Sequence, residues 1–468
     1  MPDPIPVSIR LAEVLATARP DTLPPDVLEH ANRAVLDWLG SVMAGALEPP
    51  ARMMQAVVRE FGTSGEATVV AAGRASAAAA ALANGTASHI LEFDDVHKGS
   101  TLHGAAPIIP AAFAVAEREH ASGLAFLTAV ALGYEAALRI GEAVNPSHYR
   151  TWHPTGTAAT FGSAAAAGWL LGLDPRQMND ALGTAGTTAA GLWEFNRDGA
   201  MSKHLHPGNA AFHGVLAADL AARGFTGATR IVEGDRGFVR AFSDDGDPTT
   251  VLDGLGSAWK MRENWYKLHA CCGHTHTAID AALRIRADAE LVDPPQQIER
   301  ITVHTYGPGY AIVSETNPRT PYQAKFSLAY VVAAALTEGV VGLAQFSEDR
   351  FTADGTVAPA IAALLPRITL IVDDALTASY PEAWPAVVEV ELRDGRTFRA
   401  SGASPQGAPE HPASTDQLAA KARALITPGY GEAAAIRAVE AACAIPALSD
   451  MATFFPSITS EVLHAAAR

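Results

Sequence analysis

The sequence predicts a mainly α-helical protein, with a large multihelical domain and a smaller α+β domain. Three observations carry this. Residues 1 to about 265 are dominated by alanine and leucine at helical spacing. Strand-type alternation begins near residue 298, and helical patterns return from about 415 to the end. At 468 residues the chain also exceeds the length at which one hydrophobic core stops growing. The expected division is 1–269 for the first part of the helical domain, 270–402 for the α+β domain, and 403–468 for C-terminal helices that pack back on the helical domain.

Taken in order, "PPDVLEHANRAVLDWLGSVMAGAL" sets Val27, Leu28, Ala31, Ala34, Val35, Trp38, Leu39 and Val42 at intervals of three and four, with Pro25 near the first turn. "LAFLTAVALGYEAALRIGEAV", "TGTAATFGSAAAAGWLLGL" and "NAAFHGVLAADLAARGF" continue the pattern, and their small residues let helices approach closely. In the second domain "IERITVHTYG" and "RITLIVDD" alternate with strand period, and "AKFSLAYVVAAALTEG" between them reads as a helix. "AVVEVELRDGRTFRASG" is two strands joined at Asp394-Gly395, a strong hairpin signal. The loop "SPQGAPEHPAS" separates this domain from the C-terminal helices.

Composition excludes several classes of function. With 49% hydrophobic and 18% charged residues the chain can bury a large core. A formal net charge of −16 argues against nucleic-acid or anionic-membrane partners, which require a basic footprint. The opening "MPDPIPVSIR" lacks an apolar signal core, and runs such as 75–83 and 164–173 are too short or too alanine-rich to span a bilayer. Three cysteines, Cys271, Cys272 and Cys443, do not make a disulfide framework. The expectation is a soluble cytoplasmic protein.

Four segments could carry chemistry. "LEFDDVHKGSTLHG" places Glu92, Asp94 and Asp95 around His97, Lys98 and His103, with His103 just before a helix, where the dipole disfavours its protonated form. "HPTGT" sets His153 and Thr155 before another helix start, which can offer amides and a hydroxyl to an anion. "SKHLHPG" gathers Lys203, His204 and His206 ahead of a small-residue helix. "KLHACCGHTHTAIDAAL" holds Lys267, His269, Cys271, Cys272, His274 and His276, a tempting zinc cluster with neither CxxC nor HExxH spacing, so no metal is expected. Thiol catalysis by Cys271 or Cys272 and base catalysis by a histidine both remain open there. The chain has no P-loop, no GxGxxG after a strand and no GxSxG elbow. Lysines and helix N-termini suit a small polycarboxylate, and proton chemistry beside a carboxylate is the remaining reaction class.

In order along the chain, "NGTASHILEFDDVH", "HPTGT", "SKHLHPGNAA", "GFTGATRIVEGDRGF", "KLHACCGHTHTAIDAAL" and "AKFSLAY" resemble the successive motifs of the MmgE/PrpD family. That family includes 2-methylcitrate dehydratase, cis-aconitate decarboxylase and iminodisuccinate epimerase. The resemblance implies a homodimer whose subunits each have an all-helical domain built from both chain ends and an α+β lid domain. It also implies an active site in the cleft between them, without metal or organic cofactor. Carried over residue by residue, it makes Glu92, His103, His153, Lys203 and His276 the catalytic candidates. Lys267, Lys98, Thr155, His206 and Lys325 are the candidates for binding the substrate.

Glu92 stands where the family has aspartate, and Val96 stands where the decarboxylase pattern has threonine. The dehydratase branch carries a tryptophan-containing loop that "VHKGSTLHG" does not resemble. The expected activity is therefore epimerisation of an iminodisuccinate-like polycarboxylate. Dehydration and cis-aconitate-type decarboxylation are the alternatives, and non-catalytic polycarboxylate binding is the reading of a different class.

Overall fold

The Ala77–Ser88 helix shows composition deciding packing: all but one of its residues are buried, which its short side chains permit. A computed structural model describes residues 5–62, 64–351 and 358–458. The chain divides into two units, one of Met1–Ile90, Asp94–Asn264 and Ser414–Arg468, the other of Leu91–Phe93 and Trp265–Ala413.

In the first unit Ala77–Ser88 packs on Ala105–Arg118 and Ser202–Ala222, and Gly123–Val144 packs on Ala158–Leu170. Two of these helices approach closely at Gly85 and Gly208. A Cβ on Gly85 would lie 2.9 Å from the Gly208 Cα, and one on Gly208 would lie 2.6 Å from the Leu82 carbonyl oxygen. The helix Thr415–Tyr430 lies on Pro25–Gly45. There the buried Lys421 ammonium donates to Asp37 at 2.7 Å, a charge pair that burial makes costly to break. Gly123–Val144 is long and apolar enough to cross a membrane, but 89% of its most apolar window is buried. It also carries the buried Glu135–Arg139 ion pair.

Two local readings change. Lys203, His204 and His206 lie inside the Ser202–Ala222 helix rather than ahead of it. Pro207 lies inside this helix near its N-terminus, where it removes one intrahelical bond. A two-stranded hairpin, Ala67–Val69 with Gly73–Ala75, also interrupts the helical region.

The second unit is built on a four-stranded sheet ordered Ile368–Val372, Ile298–Thr305, Ala386–Leu392, Thr397–Gly402. The first pair is parallel and the others antiparallel. Gly395 turns the predicted hairpin at φ +88°, a conformation that suits glycine. The His276–Asp288 helix packs on this sheet and on Leu328–Glu338. The expected helix through "AKFSLAY" is two pieces, Pro321–Lys325 and Leu328–Glu338, because the Ser327 side chain caps the second by accepting from the Tyr330 amide.

Candidate active site

In the first unit a group of imidazoles forms around His89, which follows directly on the Ala77–Ser88 helix. His89 Nδ1 lies 2.7 Å from Asp94 Oδ2, with both side chains fully buried. Its ring centroid is 4.8 Å from that of His103 and 5.5 Å from that of His153. His103 Nδ1 donates to the Asp95 carbonyl at 2.6 Å and lies 3.5 Å from Asp94 Oδ2. A ring nitrogen that donates to a carbonyl carries the proton, so neutral His103 keeps its lone pair on Nε2. The His103 amide donates to Thr155 Oγ1 at 3.1 Å, which ties "HPTGT" to the loop ahead of the Ala105–Arg118 helix.

His153 Nδ1 stands 3.1 Å from His206 Nδ1, so one ring donates and the other accepts. Burial holds His153 well below its ordinary pKa, helped by His206, His89, Lys203 and His103, and burial with His89 and Lys203 brings His206 down to about 4. Both imidazoles are neutral at pH 7. Lys203 is buried, with Nζ 5.9 Å from the Phe195 ring centroid. The contact between Gly85 and Gly208 places the Lys203–His206 turn near the helix that leads to His89.

Asp95 is an internal support. Its Oδ2 accepts from the Tyr134 hydroxyl at 2.6 Å and from Asn264 Nδ2 at 2.8 Å, and its Oδ1 accepts from the first amide of the Ala105–Arg118 helix at 3.0 Å. Burial pushes Asp95 up to about 7 against the pull of these three donors. Lys98 sits in the tight loop closed by the His97–Leu102 backbone pair, where His97 Nε2 lies 3.7 Å from Glu142 and 3.5 Å from Glu263. His148 is spent on structure, between Thr157 Oγ1 and the Phe242 carbonyl.

In the second unit two buried lysines hold the segment Leu91–Phe93. Lys267 Nζ donates to the Glu92 carbonyl at 3.1 Å and lies 3.8 Å from Glu92 Oε2, and Lys325 Nζ donates to the Leu91 carbonyl at 2.8 Å. Glu92 adopts φ +56°, a left-handed conformation that costs a non-glycine residue free energy and recurs at functional sites. Tyr322 has its hydroxyl pKa raised well above the ordinary value, by burial first and then by Glu92 and Cys272. His276 opens its helix with Nε2 3.3 Å from the Cys271 carbonyl.

In the neighbouring segment the polar side chains take separate partners. His269 pairs with Asp280, His274 with the Tyr306 hydroxyl, and Cys271 with Thr275. Burial pushes the Cys271 thiol up to about 12, which removes it as a nucleophile at neutral pH. Among the described residues, three-ligand groupings occur instead at His89, His103 and His153 and at His97, Glu142 and Glu263.

The structure thus brings together His103, His153, Lys203, His206 and Thr155 in the first unit, and Glu92, Lys267 and Lys325 in the second. The sequence reading missed His89, Tyr134 and Asn264. His89 had a local signal, since it stands at the end of an alanine helix five residues before Asp94.

Residues 9–251 match the MmgE/PrpD N-terminal domain and residues 269–444 the MmgE/PrpD C-terminal domain. The chain is 30% identical over 442 residues to a cis-aconitate decarboxylase-like protein of Aspergillus oryzae, covering 90% of each chain. It is 31% identical to a cis-aconitate decarboxylase of Aspergillus terreus, over 70% of this chain and 71% of that one. It is 28% identical to the cis-aconitate decarboxylase of Homo sapiens, over 85% and 83%.

Proposed function

The chain belongs to the MmgE/PrpD family, and we propose that it is a lyase that decarboxylates a small unsaturated polycarboxylate of the cis-aconitate type, using side chains alone. The observation that carries this is the alignment with decarboxylases over most of the chain. It puts the lyase ahead of the epimerase that Val96 and the loop "VHKGSTLHG" favoured. Valine and threonine have nearly the same shape, so Val96 departs from the decarboxylase pattern by a hydroxyl alone.

In a β,γ-unsaturated carboxylate the bond to the departing carbon dioxide breaks and its electron pair becomes the new double bond. The old alkene pair then takes a proton at its far carbon. The reaction needs a cation for the remaining carboxylates and one proton donor. Lys203 is our candidate for the charge. His103 is our candidate for the acid, since Asp94 at 3.5 Å stabilises its imidazolium form. Neutral His153 and His206 offer uncharged hydrogen bonds beside them. Glu92, Lys267, Lys325, Lys98 and His276 enter as further proposed participants on their motifs.

The test is to incubate the purified protein with cis-aconitate in heavy water. We expect carbon dioxide release and one deuterium in the product. Isotope exchange into an iminodisuccinate-type substrate without carbon dioxide would replace the lyase by the epimerase. Saturable binding with no turnover on either substrate would leave a binding protein.

A further inference from the structure

We infer that His89, His103 and His153 form a site for one divalent transition-metal ion of the zinc class, and that the ion inhibits rather than assists the protein. One ring nitrogen from each lies within 4.8 Å of the others. His89 Nε2 and His153 Nε2 are buried and have no hydrogen-bond partner. The opposite nitrogen of each ring is already engaged: His89 Nδ1 by the Asp94 carboxylate, His103 Nδ1 by the Asp95 carbonyl, and His153 Nδ1 by His206.

A histidine that binds a metal has its other nitrogen held in this way, which fixes the tautomer; at His89 and His103 the holder is the usual carboxylate or carbonyl, and at His153 it is the neutral His206 ring. Three imidazoles leave a fourth position for water, which suits zinc. Tetrahedral ligands about 2.0–2.1 Å from zinc stand roughly 3.3 Å apart, so nitrogens as far as 4.8 Å apart need to close by up to about 1.5 Å. Rotation about the bonds that carry the rings can supply that. The His103 side chain is 13% exposed and gives the ion an approach.

The ligand set overlaps the groups proposed above for catalysis. An ion there takes up the lone pairs of His103 and His153, so the metal-stripped protein is the active form. The binding itself is independent of the decarboxylase reading and is measured without substrate.

The experiment titrates the full chain, stripped with a chelator, with zinc chloride by calorimetry, and with cobalt(II) by visible absorption. We expect one ion per chain and cobalt bands without a thiolate charge-transfer band. His89→Ala and His153→Ala should each weaken binding at least tenfold, and His97→Ala should leave it unchanged. If circular dichroism shows that either buried variant fails to fold, His103→Gln replaces it and should show the same loss. No one-site heat with zinc, unchanged affinity in the folded variants, or a thiolate band would overturn the proposal. If the stripped protein decarboxylates cis-aconitate, zinc should lower kcat, through the loss of His103 as the acid, and a chelator should reverse the effect. Zinc bound without any turnover would count against the decarboxylase reading alone.

Discussion

Asp94 Oδ2 lies 2.7 Å from His89 Nδ1, inside a layer from which solvent is excluded at both side chains. A buried carboxylate in that position fixes the tautomer of the ring and so decides what the far nitrogen offers its neighbours. Asp94→Asn keeps the size and removes the charge. We expect turnover to fall roughly 10- to 100-fold, as for other orienting partners, with unchanged far-UV circular dichroism. Turnover within twofold of the parent would show that the pair is structural only.

Lys203→Ala should reduce turnover on the order of 100-fold or more, through loss of the cation or proton carrier. Lys203→Arg should not restore it. A guanidinium does not deprotonate, and its planar fork is a poor fit for a position shaped around a point charge. Near-normal kcat in Lys203→Ala would remove Lys203 from the mechanism, whereas near-normal kcat in Lys203→Arg alone would leave it the role of a cation and exclude that of a proton carrier.

Asp95 gives a prediction for stability against pH. Its folded pKa, about 7, lies above the ordinary 3.8, so the folded state holds an extra proton between those values. The contribution of this group therefore falls as pH rises from about 4 to about 7, and the penalty is fully present above that range. Asp95→Asn removes the titration and adds a constant cost for the altered acceptors. Urea midpoints of the chelator-treated proteins, taken across this range, should show the variant improving relative to the parent as pH rises. A difference that stays flat would place the Asp95 pKa near its unfolded value.

Gly208→Ala puts a Cβ 2.3 Å from Thr86 Oγ1 and 2.6 Å from the Leu82 carbonyl oxygen. The hydroxyl can turn away but the carbonyl cannot. Overpacking typically costs about 1–3 kcal/mol, and the better helix propensity of alanine returns up to about 1. We expect a net loss of roughly 1–2 kcal/mol by urea denaturation, together with reduced turnover as the Lys203–His206 turn shifts. Equal midpoints would mean that the two helices separate at little cost.

The helices with strong period and the Asp394-Gly395 hairpin were legible because each depends on neighbours along the chain. The long-range supports were not. Tyr134 and Asn264 reach Asp95 from 39 and 169 residues away, and no local pattern marks a tyrosine or an asparagine as the partner of a distant carboxylate. The motifs grouped Lys203 with His206 but placed both ahead of the helix, since the small-residue pattern that marks it in the sequence begins only after Pro207. Cys271 shows the converse: its position in a histidine-rich segment invited a reactive thiol, and only burial reveals a thiol with no tendency to ionise.

The two ammonium groups that hold Leu91 and Glu92 set an order of assembly. Lys267 and Lys325 find these carbonyls 175 and 234 residues earlier in the chain. During synthesis the acceptors leave the ribosome long before their donors, so this unit cannot reach its final state until most of the protein has been made. A recombinant fragment covering Trp265–Ala413 would contain every strand of the sheet and still lack those two acceptors for buried positive charges. Gene truncation at the apparent start of the unit is therefore a poor route to a stable fragment, whereas supplying the short 91–93 stretch on a linker should restore much of its solubility.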